Sequence, residues 1–398
     1  MKETIMVSNL MRALQLFFLV LVTFLYPIPG QSNTSNDEKR PFVKGGIEDK
    51  PFITSMARSR IGGYAEIDWR WQRIDGFTEE LGFEMKRFNL FTYAPITDRL
   101  RVATELEFEE GGEEIKIETA QIDFELHPSI IFRGGIILAP LGRFNLAHDS
   151  PANDLTNRPL VSTEIIPTAL SETGMGFYGA FFANQQMRFT YELYAVNGFN
   201  DGVIGGDPAG TRIPAGKGNF KDNNQQPALV GRIAASPEPS WEIGLSMHTG
   251  AYNKWEIEGL EIDDKRSLTI FALDGNFSWK RIEILGEYAN ASIDVPKESR
   301  DIFQESQQGF YLQTNAHFGR GWITEIPNSL FTVVTRYEFV DFDSDGPGDN
   351  HKRVTLGLNF RPAEDSVFKL DYQRGALNDP FNIEGKAAAL IFSVATYF

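Results

Sequence analysis

Arg70, Arg87, Arg101, Arg133 and Arg188 set the first chemical question. Each lies on the polar parity of a segment whose other parity is apolar. Asp274, Glu283, Glu287, Glu338 and Asp371 hold the same kind of position later in the chain. Guanidinium groups grip carboxylates and phosphates through paired hydrogen bonds and stay charged at any relevant pH. Basic and acidic walls facing one another across a shared interior would make a transverse field that orients polar solutes. The separation is partial, because Glu66, Asp68, Glu105, Asp123 and Glu192 add acids to the early segments. The plainer role for any one of these residues is an internal ion pair bracing a polar interior.

Two shorter motifs suggest other chemistry. The stretch Gly244, Leu245, Ser246, Met247, His248 lacks the closing glycine of a nucleophile elbow. In an extended segment Ser246 and His248 share a face, so a hydrolase is the third-ranked reading and interior polarity the first. Residues 341–350 (DFDSDGPGDN) place Asp341, Asp343 and Asp345 as the first half of a calcium loop would. Position twelve of that pattern is Lys352 instead of a bidentate acid, so a solvated acidic loop is the expectation. No glycine-rich phosphate loop, zinc cluster or dinucleotide fingerprint is present, and no cofactor is implied.

The elements that must carry these residues are strands. The chain has 398 residues, a formal charge of -16, no cysteine and 13% aromatics. A mean hydropathy of -0.26 excludes a helical membrane protein. The acidic balance argues against nucleic acid as a partner. Lys2 and Arg12 precede a short apolar run at 13–26, followed by Pro27, Pro29, Gly30 and Ser32. That order predicts a secretory signal peptide over 1–32, with a core too short to span a bilayer, which takes ~20 residues. The polar residues 33–60 predict a flexible periplasmic lead-in. From 61 to 398 the pattern is one of amphipathic segments of roughly ten residues parted by turn residues, the signature of a transmembrane barrel.

The terminal stretch 387–398 shows the pattern most plainly. Phe398, Thr396, Val394, Phe392 and Leu390 share one parity. A strand with an apolar face running to a terminal aromatic needs a paired neighbour on each side and an apolar surround, which a closed barrel in lipid supplies. Segments 61–71, 83–94, 98–109, 115–126, 129–139 and onward to 387–398 predict about sixteen strands. The expected fold is therefore all-β: a transmembrane antiparallel barrel. Connections alternate, short at one end and mostly long at the other, with 72–82, 140–173 and 198–226 among the long ones. A soluble sandwich has no reason to sort its loops by parity.

The final strand resembles the assembly signal of bacterial outer-membrane proteins. The layout, with its longest loop after the fifth strand, resembles the porins. The stretch GGIILAPLGRFN before that loop is similar to the phosphate-selective porin O and P family. The resemblance implies a bacterial outer-membrane location, a third extracellular loop folded into the lumen, a homotrimer in outer-membrane lipid, and passive diffusion of small hydrophilic solutes including anions such as phosphate. It also implies a constriction at Arg143, His148, Asp149, Asp154, Arg158 and Glu164. The excess of acids over bases, 54 to 38, departs from that family's basic lumen and points to weak selectivity. A non-conducting adhesin or receptor working through the long loops is the alternative.

Overall fold

The computed structural model describes Gly46, Asp49, Lys50 and residues 59–398 apart from positions 185, 209 and 301. The predicted signal peptide and most of the 33–60 lead-in lie outside the described residues.

Sixteen strands among the described residues close into one antiparallel barrel. They are β1 (Arg60–Ile74), β2 (Phe77–Pro95), β3 (Leu100–Glu109), β4 (Glu114–His127), β5 (Ile130–Leu138), β6 (Ser171–Phe182), β7 (Arg188–Val196) and β8 (Ala228–Ser236). The second half comprises β9 (Trp241–Ala251), β10 (Ser267–Trp279), β11 (Ile282–Ile293), β12 (Ser306–Phe318), β13 (Leu330–Asp341), β14 (Asn350–Ala363), β15 (Ser366–Asn378) and β16 (Glu384–Tyr397). Each strand pairs with its sequence neighbours, and β16 closes on β1 from Tyr64↔Tyr397 to Ile74↔Ala387. Phe398 extends that seam. Its N–H and carbonyl exchange hydrogen bonds with Gly63 at 3.0 and 3.1 Å, and its ring stacks on Phe88 at 5.7 Å. Closure leaves no backbone edge unpaired, the condition for a sheet to sit in hydrocarbon.

Polarity runs outside-in compared with a soluble fold. Along β1, Glu66 and Asp68 are buried while Ile67 and Trp71 are exposed. The same inversion repeats in Asp371 against Leu370 and Tyr372, and in Glu338 against Tyr337. Aromatics from adjacent strands line up at the short-turn end of the outer surface: Phe318 on Phe331 at 5.7 Å, Phe331 on Phe360 at 4.9 Å, Phe360 on Phe368 at 6.2 Å. Such a row fits the interfacial girdle of a membrane barrel.

Two features correct the sequence reading. Residues 72–82 are not a long loop. Asp75 and Gly76, with φ of 49° and 87°, make a two-residue turn, and β1 and β2 run on to meet it. Both turn residues need positive φ, which aspartate tolerates and glycine adopts freely. The interior is also not uniformly polar. At the long-loop end, Val196, Val230, Leu268, Ile270, Ala272, Ala289, Ala291 and Val340 face inward. Val161, Ile165, Ile166 and Leu170 of the loop 139–170 pack against them, as do Phe199, Val203 and Ile213 of the loop 197–227. This part of the barrel interior is thus filled by a dry core like that of a soluble domain.

Candidate functional site

The long-loop end of the wall holds the third loop, 139–170, inside the barrel. The loop leaves β5 through Gly142, whose φ of 68° favours glycine and whose missing Cβ makes room for the Glu287 carboxylate. Asn145 then ties the base of the loop. Its Nδ2 donates to the Ala139 carbonyl at 2.8 Å, and its Oδ1 accepts from the Leu170 N–H at 2.8 Å. From there the loop meets one inward side chain after another. The Gly142 N–H donates to Ser246 Oγ of β9 at 2.8 Å, and the Phe144 N–H to Glu287 of β11 at 3.1 Å. Ser150 Oγ donates to Glu66 of β1, and Lys369 of β15 donates to the Ser150 carbonyl. The Thr156 N–H donates to Asp371 at 2.7 Å, and the Leu160 N–H to Glu338 at 2.9 Å.

The candidate constriction residues fall into two groups. His148, Asp149 and Asp154 are held in place. His148 Nδ1 donates to the Asn145 carbonyl at 2.8 Å, which leaves Nε2 facing Glu118 at 2.9 Å. A single proton between those two atoms satisfies both. Asp149 accepts from Lys50 and, at 2.8 Å, from the Tyr397 hydroxyl. Asp154 accepts from Arg361 at 2.8 Å and from Asn315 at 2.8 Å. Arg143, Arg158 and Glu164 are half-buried. Arg158 donates to the Thr168 carbonyl at 3.0 Å, and Arg143 lies near Glu242 and Tyr311. Burial lifts the Glu164 carboxyl above the ordinary carboxylate range, with the Thr163 hydroxyl opposing at 3.2 Å.

The wall residues all lie on the inward parity, but they are paired, not opposed. Arg133 binds Asp123 through two bonds at 2.8 and 2.9 Å and lies over the Tyr178 ring at 4.1 Å. Arg87 reaches Glu66 at 3.0 Å, Arg188 lies 3.9 Å from Glu242, and Arg101 stands in register with Asp123. Glu105 accepts from Asn89 at 2.7 Å. Arg70 donates to Asn157 of the third loop at 3.0 Å. The late strands carry inward bases of their own: Arg336, Arg353, Arg361 and Lys369. The partial separation read from the sequence is weaker still, and ion pairing is distributed around the ring. Each of these four shares its parity with a neighbouring inward residue, so the signal was present in the alternation. Lys50, buried with its ammonium 4.5 Å from the Phe91 ring, carried no such signal, because it lies outside the amphipathic segments. In 341–350, Asp341 accepts from the Asp343 N–H and Asp343 from the Asp345 N–H, both at 3.3 Å. Among the described residues, no three potential metal ligands converge. Ser246 is engaged by Gly142, and His248 by Glu172 at 3.1 Å and by the Phe199 ring at 5.0 Å.

Asp154 yields a prediction here. Asp154→Ala removes the carboxylate shared by Arg361, Asn315 and Asn359, leaving the middle of the loop held through its backbone, by Asn359 at the residue 154 carbonyl and by Arg361 at the Pro151 carbonyl. The expected result is faster protease cleavage within 150–158 of the detergent-solubilised protein, with the barrel fold intact.

No family model matches the sequence. An uncharacterized protein of Aquifex aeolicus (strain VF5) is 26% identical over 354 residues, covering 80% of this chain and 76% of that one. Among solved structures, the outer membrane channel DcaP of Acinetobacter baumannii superposes with a TM-score of 0.57 at 13% identity, covering 86% of this chain and 99% of that one. The anion-selective porin from Comamonas acidovorans gives 0.56 at 9% identity, covering 85% and 99%. The fold is that of the outer-membrane porins.

Proposed function

We propose that this chain is a bacterial outer-membrane porin, a water-filled channel for passive diffusion of small polar or charged solutes, narrowed by its third loop. The observation that carries this reading is the inverted polarity of a closed sheet, with a loop of the same chain bonded to the inner wall from β1 to β15. Lipid outside and water inside satisfy both surfaces at once. The dry core beside the loops 139–170 and 197–227 closes one part of the interior to solutes. Arg143 and Glu164, half-buried, are the candidate constriction residues proposed to meet passing ions. The mixture of paired acids and bases supports weak selectivity over a strong preference for phosphate. The resemblance of 134–145 to the phosphate-selective O and P family remains the reason to include phosphate among the solutes tried. A homotrimer is proposed by analogy with the OmpT of Vibrio cholerae, whose structure is described as a trimer form. Residues 1–32 would be removed on export.

Purified protein in a planar bilayer is expected to give stepwise conductance in potassium chloride, with a reversal potential near zero in a salt gradient. Removal of 148–158 is expected to raise the unit conductance several-fold. A silent bilayer would sink the channel reading, and a steep preference for phosphate over chloride would sink weak selectivity.

A further inference from the structure

Lys50 lies ten positions before Arg60, where β1 sets out from the short-turn end of the barrel. The sequence predicts such a residue outside, in the periplasmic lead-in. The structure puts its ammonium inside. Phe91 lies on the inward parity of β2 with Arg87 and Asn89, and Tyr397 on that of β16 with Ser393 and Ala395. The Lys50 Nζ stands 4.5 Å from the Phe91 ring and 5.9 Å from the Tyr397 ring, and it donates to Asp149 of the third loop. The backbone bends just before it: the Asp49 N–H donates to the Gly46 carbonyl at 3.0 Å, and Gly46 is buried.

The groups around that ammonium belong to the wall and the third loop, and they form a seat for a cation. Asp149 is buried and accepts from the Tyr397 hydroxyl at 2.8 Å as well as from Lys50. Its backbone is fixed, because its carbonyl takes the Ala152 N–H at 3.0 Å and Asn153 Nδ2 at 2.8 Å. Tyr64, fully buried, backs the two rings at 6.0 and 6.1 Å. Glu105 of β3 and Glu118 of β4, both buried, lie within the field of the ammonium. Aromatic faces and carboxylates both attract an ammonium, and the attraction strengthens away from water. A buried lysine is costly unless paired. An empty seat would leave the Asp149 carboxylate, among the described residues, with the Tyr397 hydroxyl alone. Lys50 in its seat removes both penalties at once.

We propose that the chain at Gly46, Asp49 and Lys50 is an internal stopper, locked in the lumen by the Lys50–Asp149 ion pair and its aromatic seat, and that breaking this lock widens the passage. The proposal rests on the channel reading and goes beyond it: the narrowing has two parts, the third loop and this stopper, and one ion pair joins them. Lys50 and Asp149 both lie outside the strands. The lock can therefore open with every ladder hydrogen bond of the barrel intact.

Acetylation of the detergent-solubilised protein with a water-soluble N-hydroxysuccinimide ester, read by mass spectrometry, tests the lock without needing conduction. Lys50 should react far more slowly than Lys386, whose side chain is 73% exposed. In Asp149→Asn, Lys50 should react about tenfold or more faster than in the parent, the loosening expected when a buried ion pair loses one charge. Planar bilayers test the stopper. Lys50→Glu should raise the unit conductance several-fold, and adding Asp149→Lys to it should return the current to the parent level. Heat-modifiable electrophoretic mobility reports whether each variant folds. Lys50 reacting as fast as Lys386 in the parent would overturn the lock. A Lys50→Glu channel with the parent's conductance would overturn the stopper. A protein silent in both forms, with Lys50 still protected, would keep the lock and remove the channel.

Discussion

Gly63→Val is expected to leave the chain without a closed barrel. Gly63 sits where β1, β2 and the chain terminus meet. Its backbone exchanges hydrogen bonds with Phe398 at 3.0 and 3.1 Å. A Cβ at this position would fall within the van der Waals envelope of the Asn89 carbonyl and 2.7 Å from the Phe398 ring. The carbonyl belongs to the backbone of the paired strand and cannot rotate away. Relief therefore means separating β1 from β2 or expelling Phe398 from the seam. Overpacking of this kind costs about 3 kcal/mol or more, and here it falls on the contact that eliminates the sheet edge. Heat-modifiable mobility and protease resistance of the refolded protein should both be lost. Gly82→Val is the control, since nothing lies within 4 Å of a Cβ added there. Normal closure of the Gly63→Val barrel would show that the seam tolerates a side chain and that the close approach is not a constraint.

Glu338→Ala should be the most damaging change to the inner wall. Glu338 is fully buried, accepts from Arg353 twice and from the Leu160 N–H of the third loop, and lies 3.2 Å from the Arg336 guanidinium as an ion pair. Its removal leaves two interior guanidiniums without their counter-charge. Breaking a buried ion pair from one side costs about 3–5 kcal/mol. The loop loses a pin at Leu160 in the same step. The expected readings are a lower midpoint of urea unfolding in detergent and noisier, larger single-channel currents. Glu338→Gln should fall between, because it keeps the shape and one acceptor but not the charge. A midpoint unchanged in Glu338→Ala would mean that the two arginines find water or other acceptors, and that the triad does not hold the loop.

The architecture was readable because lipid and water lie on opposite faces of each strand. Wherever that contrast holds, as in Glu66 between Ala65 and Ile67, parity alone assigns the face. The contrast fails in the upper part of β10. Leu268, Ile270 and Ala272 turn inward while Phe271 and Leu273 turn outward, so both parities are apolar. Nothing local separates a residue facing hydrocarbon from one facing the loops packed inside. The turn at Asp75 and Gly76 was missed for a related reason. The amphipathic pattern weakens through Glu79 and Glu80 while the hydrogen-bond ladder continues, although the Asp-Gly pair itself was a hairpin signal. The third loop was located by length and position. Its fastenings were not legible, because its partners are scattered over the chain and depend on how far each strand is staggered against the next.

Those fastenings have a consequence for assembly. Ser150 is bound by Lys369, 219 positions away, and Asp149 by Tyr397, 248 positions away. Such pairings form slowly, since the entropy of a long closure is lost before any contact rewards it. The loop can dock only onto a ring that is already complete. Biogenesis should therefore pass through a wide, fully hooped precursor whose loop still swings free, and the last event in maturation would be a narrowing.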